Sequence, residues 1–221
     1  NAYWNTSSDP TNFGCGTSAM AADTSNDKLY GGAGDDTLCG NNGDNTLDGG
    51  AGKDTITSFD GSDTIVIRSG DGSTDIANAD ILTDFTDGTD VIGMSGITFD
   101  ELTIAQGSGD YASHTLISVT GTGEYLLVLQ NTTVSNVTVV DFVLNTTTAQ
   151  TLSGNSSNNT LIGGLGGDSI TTGAGNDDVY AHAGDDAITV DGAGIKTIDG
   201  GTGTDSLTIS YTGITGLSDF T

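Results

Sequence analysis

The sequence predicts an all-β fold in which two arrays of short parallel strands are separated by a β-rich capping segment. The first observation is a unit of nine residues that repeats in two blocks of the 221-residue chain. The second is the content of the unit, which has Leu, Ile or Val at its eighth place and, in all units but one, Asp or Asn at its sixth. The third is the apolar, β-branched composition of three runs between the blocks, which is typical of strands.

The register of the repeat is clearest in the three consecutive units GGAGDDTLC, GNNGDNTLD and GGAGKDTIT, which begin at residue 31. A one-residue insertion near Val190 interrupts the second block. The sixth places are Asp27, Asp36, Asn45, Asp54 and Asp63 in the first block, and Asn159, Asp168, Asp177, Asp186, Lys196 and Asp205 in the second. The eighth places are Leu29, Leu38, Leu47, Ile56 and Ile65, followed by Leu161, Ile170, Val179, Ile188, Ile198 and Leu207.

One unit supplies a short strand and a turn. Three residues around the eighth place form a strand whose middle side chain points inward, and six Gly-rich residues reverse the chain through left-handed conformations. Two units complete one coil, so units n and n+2 stack about 4.8 Å apart. The apolar residues then form two facing ladders, and stacking is required because a single coil cannot bury its own apolar face.

The charge of the chain indicates a cation. The sequence has 30 acidic and 4 basic residues, a formal net charge of −26, and only Glu101 and Glu124 among the acids are Glu. Stacked sixth-place carboxylates about 5 Å apart repel by roughly 3 kcal/mol at an effective dielectric constant near 20. A cation between the turns reverses this sign, and Asp oxygens with backbone carbonyls suit calcium. We therefore expect several bound Ca²⁺ ions.

The pattern GGxGxDx-apolar-x resembles the calcium-binding repeat of the RTX, or haemolysin-type, β-roll proteins, most closely at 31–39, 49–57 and 163–171. The resemblance implies that the sixth-place residues of turns n and n+2 share one ion with carbonyls of the glycine turn. The implied pairs are Asp36–Asp54, Asp27–Asn45, Asn45–Asp63, Asp168–Asp186, Asn159–Asp177 and Asp186–Asp205. The implied turn glycines are Gly32, Gly34, Gly50, Gly52, Gly164 and Gly166. Lys196 departs from the pattern, and its ammonium is a candidate to replace the ion beside Asp177.

The segment between the blocks, from DILTDFTDGTDVI at residue 80 onward, resembles the closing segment of RTX arrays. Strands are predicted at 115–119, 124–130 and 137–144, with Phe99 and Phe142 closing the first roll. The predicted organisation is an N-terminal cap at 1–24, a first calcium β-roll at 25–79, the capping segment at 80–150, a second roll at 151–208, and the start of a further cap or a subunit contact at 209–221.

Two modifications remain open at this stage. Cys15 and Cys39 either form one disulfide or are free thiols, and their spacing excludes the CxxC pattern of zinc sites. Six Asn-x-Ser/Thr sequons are candidates for glycosylation, although polar loops explain them equally well. The sequons begin at Asn5, Asn131, Asn136, Asn145, Asn155 and Asn158.

Several function classes are disfavoured by the sequence. Phosphate binding requires a basic patch, so nucleic acid is not an expected partner. There is no apolar run of about 18 residues that would span a bilayer. The two histidines, His114 and His182, belong to no catalytic motif, and we expect no enzymatic activity.

Three functions compete. The first is a calcium-stabilised structural protein of the cell exterior, a self-assembling subunit of a filament or of an S-layer-like surface array, because array and cap alternate along the chain. The second is an adhesin module that binds cell-surface glycan or ice. The third is the secretion and folding module of a secreted enzyme, although the chain has no room for a catalytic domain. All three imply a secreted or cell-surface location, and the first implies a homo-oligomer or polymer.

Overall fold

The structure is a computed structural model that describes residues 24–210. The predictions for residues 1–23 and 211–221, including most of the N-terminal cap, Asn5 and Cys15, lie outside this range. The chain divides into two compact units, residues 1–142 and residues 143–221. In the described part of the chain no helix has the length and apolar character needed to cross a lipid bilayer.

The described residues form short strands and single turns of 3-10 helix. The strands are β1 Lys28–Ala33, β2 Thr37–Cys39, β3 Thr46–Ala51, β4 Thr55–Thr57, β5 Thr64–Ile67, β6 Asp80–Leu82, β7 Val91–Met94, β8 Leu102–Gln106, β9 Thr115–Val119, β10 Tyr125–Leu129, β11 Phe142–Leu144, β12 Thr151–Ser153, β13 Thr160–Ile162, β14 Ser169–Thr171, β15 Asp177–Tyr180, β16 Ala187–Val190, β17 Lys196–Asp199 and β18 Ser206–Ile209. The 3-10 helices are Ile76–Asn78, Phe99–Glu101, Gly109–Tyr111, Val134–Asn136 and Val139–Asp141.

The first unit is a parallel roll, as the repeat predicts. Successive strands alternate between two sheets, with the orders β1-β3-β5-β7-β11 and β2-β4-β6-β10-β9-β8. Eighth-place residues two units apart face each other in register: Leu47 is opposite Leu29 on one side and opposite Ile65 on the other. Leu47 and Ile65 have no exposed surface. The ladder of apolar side chains is therefore the core of this roll.

The parallel stack extends into the segment that was expected to close it. Strand β6 pairs in parallel with β4, and β7 pairs in parallel with β5, so Leu82 and Ile92 continue the two apolar ladders. Only after these rungs does the pairing become antiparallel, between β8 and β9 and between β9 and β10. Phe142 is fully buried and packs edge-on against Phe99, with ring centroids 5.0 Å apart.

Two of the three strands predicted between the blocks form close to their expected bounds, as β9 and β10. The third prediction, a strand over 137–144, is wrong for its first half, where the 3-10 helix Val139–Asp141 precedes β11. The Asp141 carboxylate accepts hydrogen bonds from the Thr138 backbone N–H at 2.6 Å and from its hydroxyl at 3.2 Å. This local capping competes with strand pairing over the same residues.

The second unit repeats the parallel arrangement with the sheet orders β12-β14-β16-β18 and β13-β15-β17. Its core consists of Ile170, Val179, Ala181 and Ile188, with Leu152, Leu161 and Ile198 packed against it. The insertion near Val190 shifts the pairing from 18 to 19 residues without breaking the ladder, since Ile188 still lies opposite Leu207. Two parallel rolls with a β-rich segment between them are therefore observed, as the sequence predicts.

Shortening one rung of the apolar ladder should destabilise the fold. We expect Ile65→Ala to lower the free energy of unfolding by about 2–5 kcal/mol, because the side chain is fully buried between two neighbours. Val140→Ala, at a side chain that is 51% exposed, should change it by about 0.5 kcal/mol or less. Urea unfolding in saturating calcium measures both. Equal losses in the two variants would contradict a core built from the eighth-place ladder.

Candidate calcium-binding turns

The sixth-place side chains form a hydrogen-bonded ladder from coil to coil. In each case the backbone N–H of one sixth-place residue donates to the Oδ1 atom of the sixth-place residue one coil further on. All six pairs that were predicted to share an ion are connected in this way. The pairs are Asp27–Asn45 at 3.0 Å, Asp36–Asp54 at 2.8 Å, Asn45–Asp63 at 2.7 Å, Asn159–Asp177 at 2.9 Å, Asp168–Asp186 at 2.6 Å and Asp186–Asp205 at 3.0 Å.

The ladder includes two residues that the sequence analysis missed. Asp54 N–H donates to Asp80 Oδ1 at 2.8 Å, and Asp63 N–H donates to Asp90 Oδ1 at 3.1 Å. These steps span 26 and 27 residues instead of 18, because longer connections intervene. The available signal was local: Asp80 and Asp90 each stand two residues before an apolar residue, Leu82 or Ile92, as a sixth place stands before an eighth.

The first-place glycine of the turn, which was also missed, leaves space for the carboxylate. A Cβ atom on Gly31 would lie 2.8 Å from Asp36 Oδ2, and one on Gly163 would lie 2.6 Å from Asp168 Oδ2. Real Cβ atoms almost never approach another atom so closely. On Gly49 the added atom would collide with the Asp54 carboxylate as well. At Gly31 and Gly163 the carbonyl oxygen of the next coil, that of Gly49 or Ala181, would lie closer still. The first glycine is therefore required by close approaches to the neighbouring backbone and to the ligand-type side chain.

The turns differ in whether the second carboxylate oxygen has a partner. Five sixth-place aspartates have a buried Oδ2 that accepts no hydrogen bond. The Oδ2 of Asp177 lies in an ion pair with Lys196, and the other four are those of Asp36, Asp54, Asp63 and Asp186. In each of these turns the second residue is left-handed: Gly32 at φ 104°, Gly50 at 90°, Phe59 at 71° and His182 at 71°. A buried carboxylate oxygen without a donor is costly, so these turns lack a positive group on the protein side.

In other turns a protein group takes that position. Gly164 N–H donates to Asp168 Oδ2 at 2.7 Å, and Asn155 N–H donates to Asn159 Oδ1 at 2.9 Å. Neither Gly164 nor Asn155 is left-handed, and the same holds for Gly166, which was predicted to belong to the calcium turn. By contrast, Gly32, Gly34, Gly50 and Gly52 are all left-handed. The structure thus separates turns of the same sequence pattern into two conformations.

Asn45 shows what fits between the turn carbonyls. Its Nδ2 atom donates to the carbonyl oxygens of Gly43 at 2.7 Å and Asn41 at 3.3 Å. The amide N–H₂ supplies positive charge where an Asp would place an oxygen against the same carbonyls. If Asp stood at this place, its carboxylate oxygen would face the turn carbonyl oxygens and be repelled by them. A hard cation bound by both kinds of oxygen would remove this repulsion.

Burial makes the carboxylates hard to ionise without a cation. Burial raises the pKa of Asp54 to about 6, that of Asp63 to about 7 and that of Asp80 to about 8. Neighbouring carboxylates raise these pKa values further, Asp36 acting on Asp54 and Asp90 on Asp63. The pKa values of Asp90 and Asp186 are also raised by burial. These buried aspartates therefore favour either protonation of the carboxylate or a bound cation.

The oxygen atoms that the turns offer suit calcium, and they come from the backbone as well as from side chains. Within residues 24–210 no three His, Cys, Asp or Glu side chains come together as a metal cluster. The carboxylates come in pairs from neighbouring coils, so the remaining ligands would be carbonyl oxygens of the turns. Calcium accepts six to eight oxygen ligands in flexible geometry, carbonyls included. The residues present therefore fit Ca²⁺, which would neutralise the carboxylates and cross-link successive coils.

Coiled parallel strands with paired aspartates in glycine turns define a calcium-binding β-roll. In agreement, residues 20–47, 40–73 and 153–188 match the model of the RTX calcium-binding nonapeptide repeat. Stretches in both blocks of the chain are thus similar to RTX calcium-binding repeats.

Among solved structures, the chain is similar to the AlgE6R3 subunit of the mannuronan C5-epimerase from Azotobacter vinelandii. The sequence identity is 23%, the match covers 58% of this chain and 82% of that chain, and the TM-score is 0.36. No protein of curated function matches the chain.

The remaining predicted sites are placed as follows. Cys39 is buried and disulfide-bonded, while the other cysteine of the sequence, Cys15, lies outside the described residues. Four sequon asparagines are exposed, Asn131, Asn136, Asn155 and Asn158, and Asn145 is half-buried. His114 accepts a hydrogen bond at Nδ1 from the Asn131 N–H at 3.0 Å, which gives it a structural contact.

The shared-ion arrangement predicts that neighbouring sites do not act independently. We expect Asp36→Asn and Asp54→Asn to lower the number of bound calcium ions, with Asp54→Asn losing at least as many because it also contacts Asp80. The double variant should lose no more than Asp54→Asn alone, because Asp36 belongs to the same site. Asn45 shows that an Asn is compatible with the fold at this place.

Equilibrium dialysis with calcium at saturation measures the number of ions, and circular dichroism checks that each variant is folded. A double variant that loses the sum of the two single losses would contradict the pairing of Asp36 with Asp54.

Proposed function

We propose that this chain is a calcium-stabilised structural protein of the cell exterior, whose two rolls become rigid when calcium enters their turns. The observation that carries the proposal is the set of buried Oδ2 atoms without a donor at Asp36, Asp54, Asp63 and Asp186. Each lies in a turn next to carboxylates of the neighbouring coil. In this proposal the ion supplies the missing positive charge and connects successive coils.

In this proposal coil stacking and calcium binding are one event. Two carboxylates about 5 Å apart repel by roughly 3 kcal/mol at an effective dielectric constant near 20, and this repulsion recurs with every coil. The apolar ladder contributes one inward side chain per unit, for example Leu47 or Ile65. The burial of such a narrow core contributes little stability against this repulsion. Calcium at the millimolar concentrations that suit extracellular modules would shift the equilibrium from unstacked to stacked coils.

A structural role follows from the kind of scaffold that results. Each coil contacts mainly its neighbours, so stiffness grows with the number of coils. The repeats supply calcium ligands and backbone turns rather than a catalytic group. We propose a secreted or cell-surface location on the same grounds, since calcium-dependent folding requires a compartment rich in calcium.

We further propose that the chain associates with copies of itself, as a filament or surface-layer subunit does. Ile195 is 74% exposed and Leu207 is 38% exposed, in the last coil that the structure describes. Strands β17 and β18 are the outermost strands of their sheets within residues 24–210. Exposed edge strands with apolar residues favour addition of further strands from a neighbour.

Removal of calcium tests the proposed function. We expect a chelator in excess to abolish most of the β-structure seen by circular dichroism, because the buried carboxylates then lose their counter-charge. Re-addition of Ca²⁺ should restore the spectrum, and Mg²⁺ at the same concentration should restore less, because it requires stricter octahedral geometry. An unchanged spectrum in the chelator would refute the calcium requirement.

Self-association has a separate test. Light scattering of the full chain across a calcium titration should show growth of large species as the net charge of −26 is neutralised. Variants Ile195→Ser and Leu207→Ser should reduce that growth, whereas Val140→Ser, also at an exposed apolar residue, should not. If the unmodified chain stays monomeric at millimolar calcium, the proposed subunit role is wrong, and a module of a larger protein is the better explanation.

A further inference from the structure

Lys196 occupies the sixth place of its unit, where other units have Asp or Asn, and its ammonium is held like a bound cation. Its Nζ atom lies 2.8 Å from Asp177 Oδ2 and donates to the carbonyl oxygens of Gly175 at 2.6 Å and Ala193 at 3.3 Å. The two side chains are 6% and 0% exposed. The ammonium thus contacts one carboxylate and two turn carbonyls, drawn from two successive coils.

The turn of Asp177 belongs to the same conformational kind as the turns with an unpartnered oxygen. Its second residue, Gly173, is left-handed at φ 73°. Asp177 Oδ1 accepts the ladder hydrogen bond from Asn159 N–H at 2.9 Å, as the other sixth-place aspartates do. The difference is that its Oδ2 faces a lysine. Lys196 therefore lies where the remaining turns of this kind lack a positive group.

A second turn on the same side of this roll also has its side-chain oxygen hydrogen-bonded within the protein. The turns that lead into β13, β15 and β17 form one row, and the first of them is closed by Asn155 N–H, which donates to Asn159 Oδ1 at 2.9 Å. The opposite row leads into β14, β16 and β18. It carries Asp168, Asp186 and Asp205, and Asp186 Oδ2 is buried without a donor.

We propose that the second roll binds calcium along only one of its two rows of turns, and that the Lys196 ammonium takes the place of the ion along the other. The proposal rests on the calcium-binding function proposed above. It differs from the expectation from the sequence, in which Asn159 and Asp177 share an ion. In this arrangement the row of Asp177 is held by a tethered cation that no chelator removes, and only the row of Asp186 responds to calcium.

The first test compares two isosteric variants of the full chain. Asp177→Asn should leave the number of bound calcium ions unchanged, whereas Asp186→Asn should lower it by at least one. Equilibrium dialysis against Ca²⁺ gives the numbers, with circular dichroism as the check of folding. Loss of an ion in Asp177→Asn as large as that in Asp186→Asn would overturn the proposal.

The second test restores the acidic sixth place. Lys196→Asp puts a second carboxylate beside Asp177, whose own turn has the left-handed Gly173, so it should bind one calcium ion more than the unmodified chain does. Lys28→Asp is the matched control, because it makes the same change of charge at an exposed residue of β1 and should add no ion. A folded Lys196→Asp variant with no additional ion would count against the proposal.

Calcium binding by the chain and the role of Lys196 have separate tests. If the unmodified chain is folded but binds no Ca²⁺ in dialysis, the proposed function is wrong. The role of Lys196 is then judged by Lys196→Met, which should lower the melting temperature because Asp177 is left buried without its partner. Lys28→Met should not lower it. Equal melting temperatures for Lys196→Met and the unmodified chain would overturn the tethered-cation role.

Discussion

The hydrogen bond from one sixth-place N–H to the next sixth-place Oδ1 is the interaction on which the rest of the structure depends. It fixes the stacking of coils, because the donor and the acceptor belong to neighbouring coils, as in Asp36 and Asp54 at 2.8 Å. It also commits one oxygen of each accepting carboxylate to the protein and leaves the other oxygen at the turn. The proposed requirement for a cation is therefore a consequence of how the coils are joined.

The backbone of the turn decides how that second oxygen is satisfied. Where the second residue is left-handed, as at Gly50 or His182, the buried oxygen accepts no hydrogen bond from the backbone of its turn. Where it is not, as at Gly164, the N–H of that residue donates to the carboxylate and closes the turn on itself. A single backbone angle thus separates turns that need a cation from turns that do not.

Much of this was predictable from period and side-chain type. A period of nine with one apolar and one acidic place fixes the coil, the apolar ladder and the pairs of sixth-place residues. The turn conformation was not predictable, because Gly permits both conformations and Gly164 adopts the one that Gly50 avoids. Asp80 and Asp90 were missed because inserted connections hide their register, and Val139–Asp141 was misjudged because a local cap outweighs the strand propensity of β-branched residues.

The few basic residues show how the protein adjusts its need for external cations. Of the four in the sequence, Arg68 contacts the carboxylates of Asp48 and Asp71, with Nη1 distances of 3.1 and 2.6 Å, and Lys196 contacts Asp177. In our proposal a fixed basic side chain makes a coil independent of calcium, whereas an exchangeable ion makes its stacking depend on the calcium concentration of the compartment. A repeat protein can therefore set its calcium response coil by coil, since replacing one sixth-place acid alters a single turn pair and leaves the apolar ladder intact.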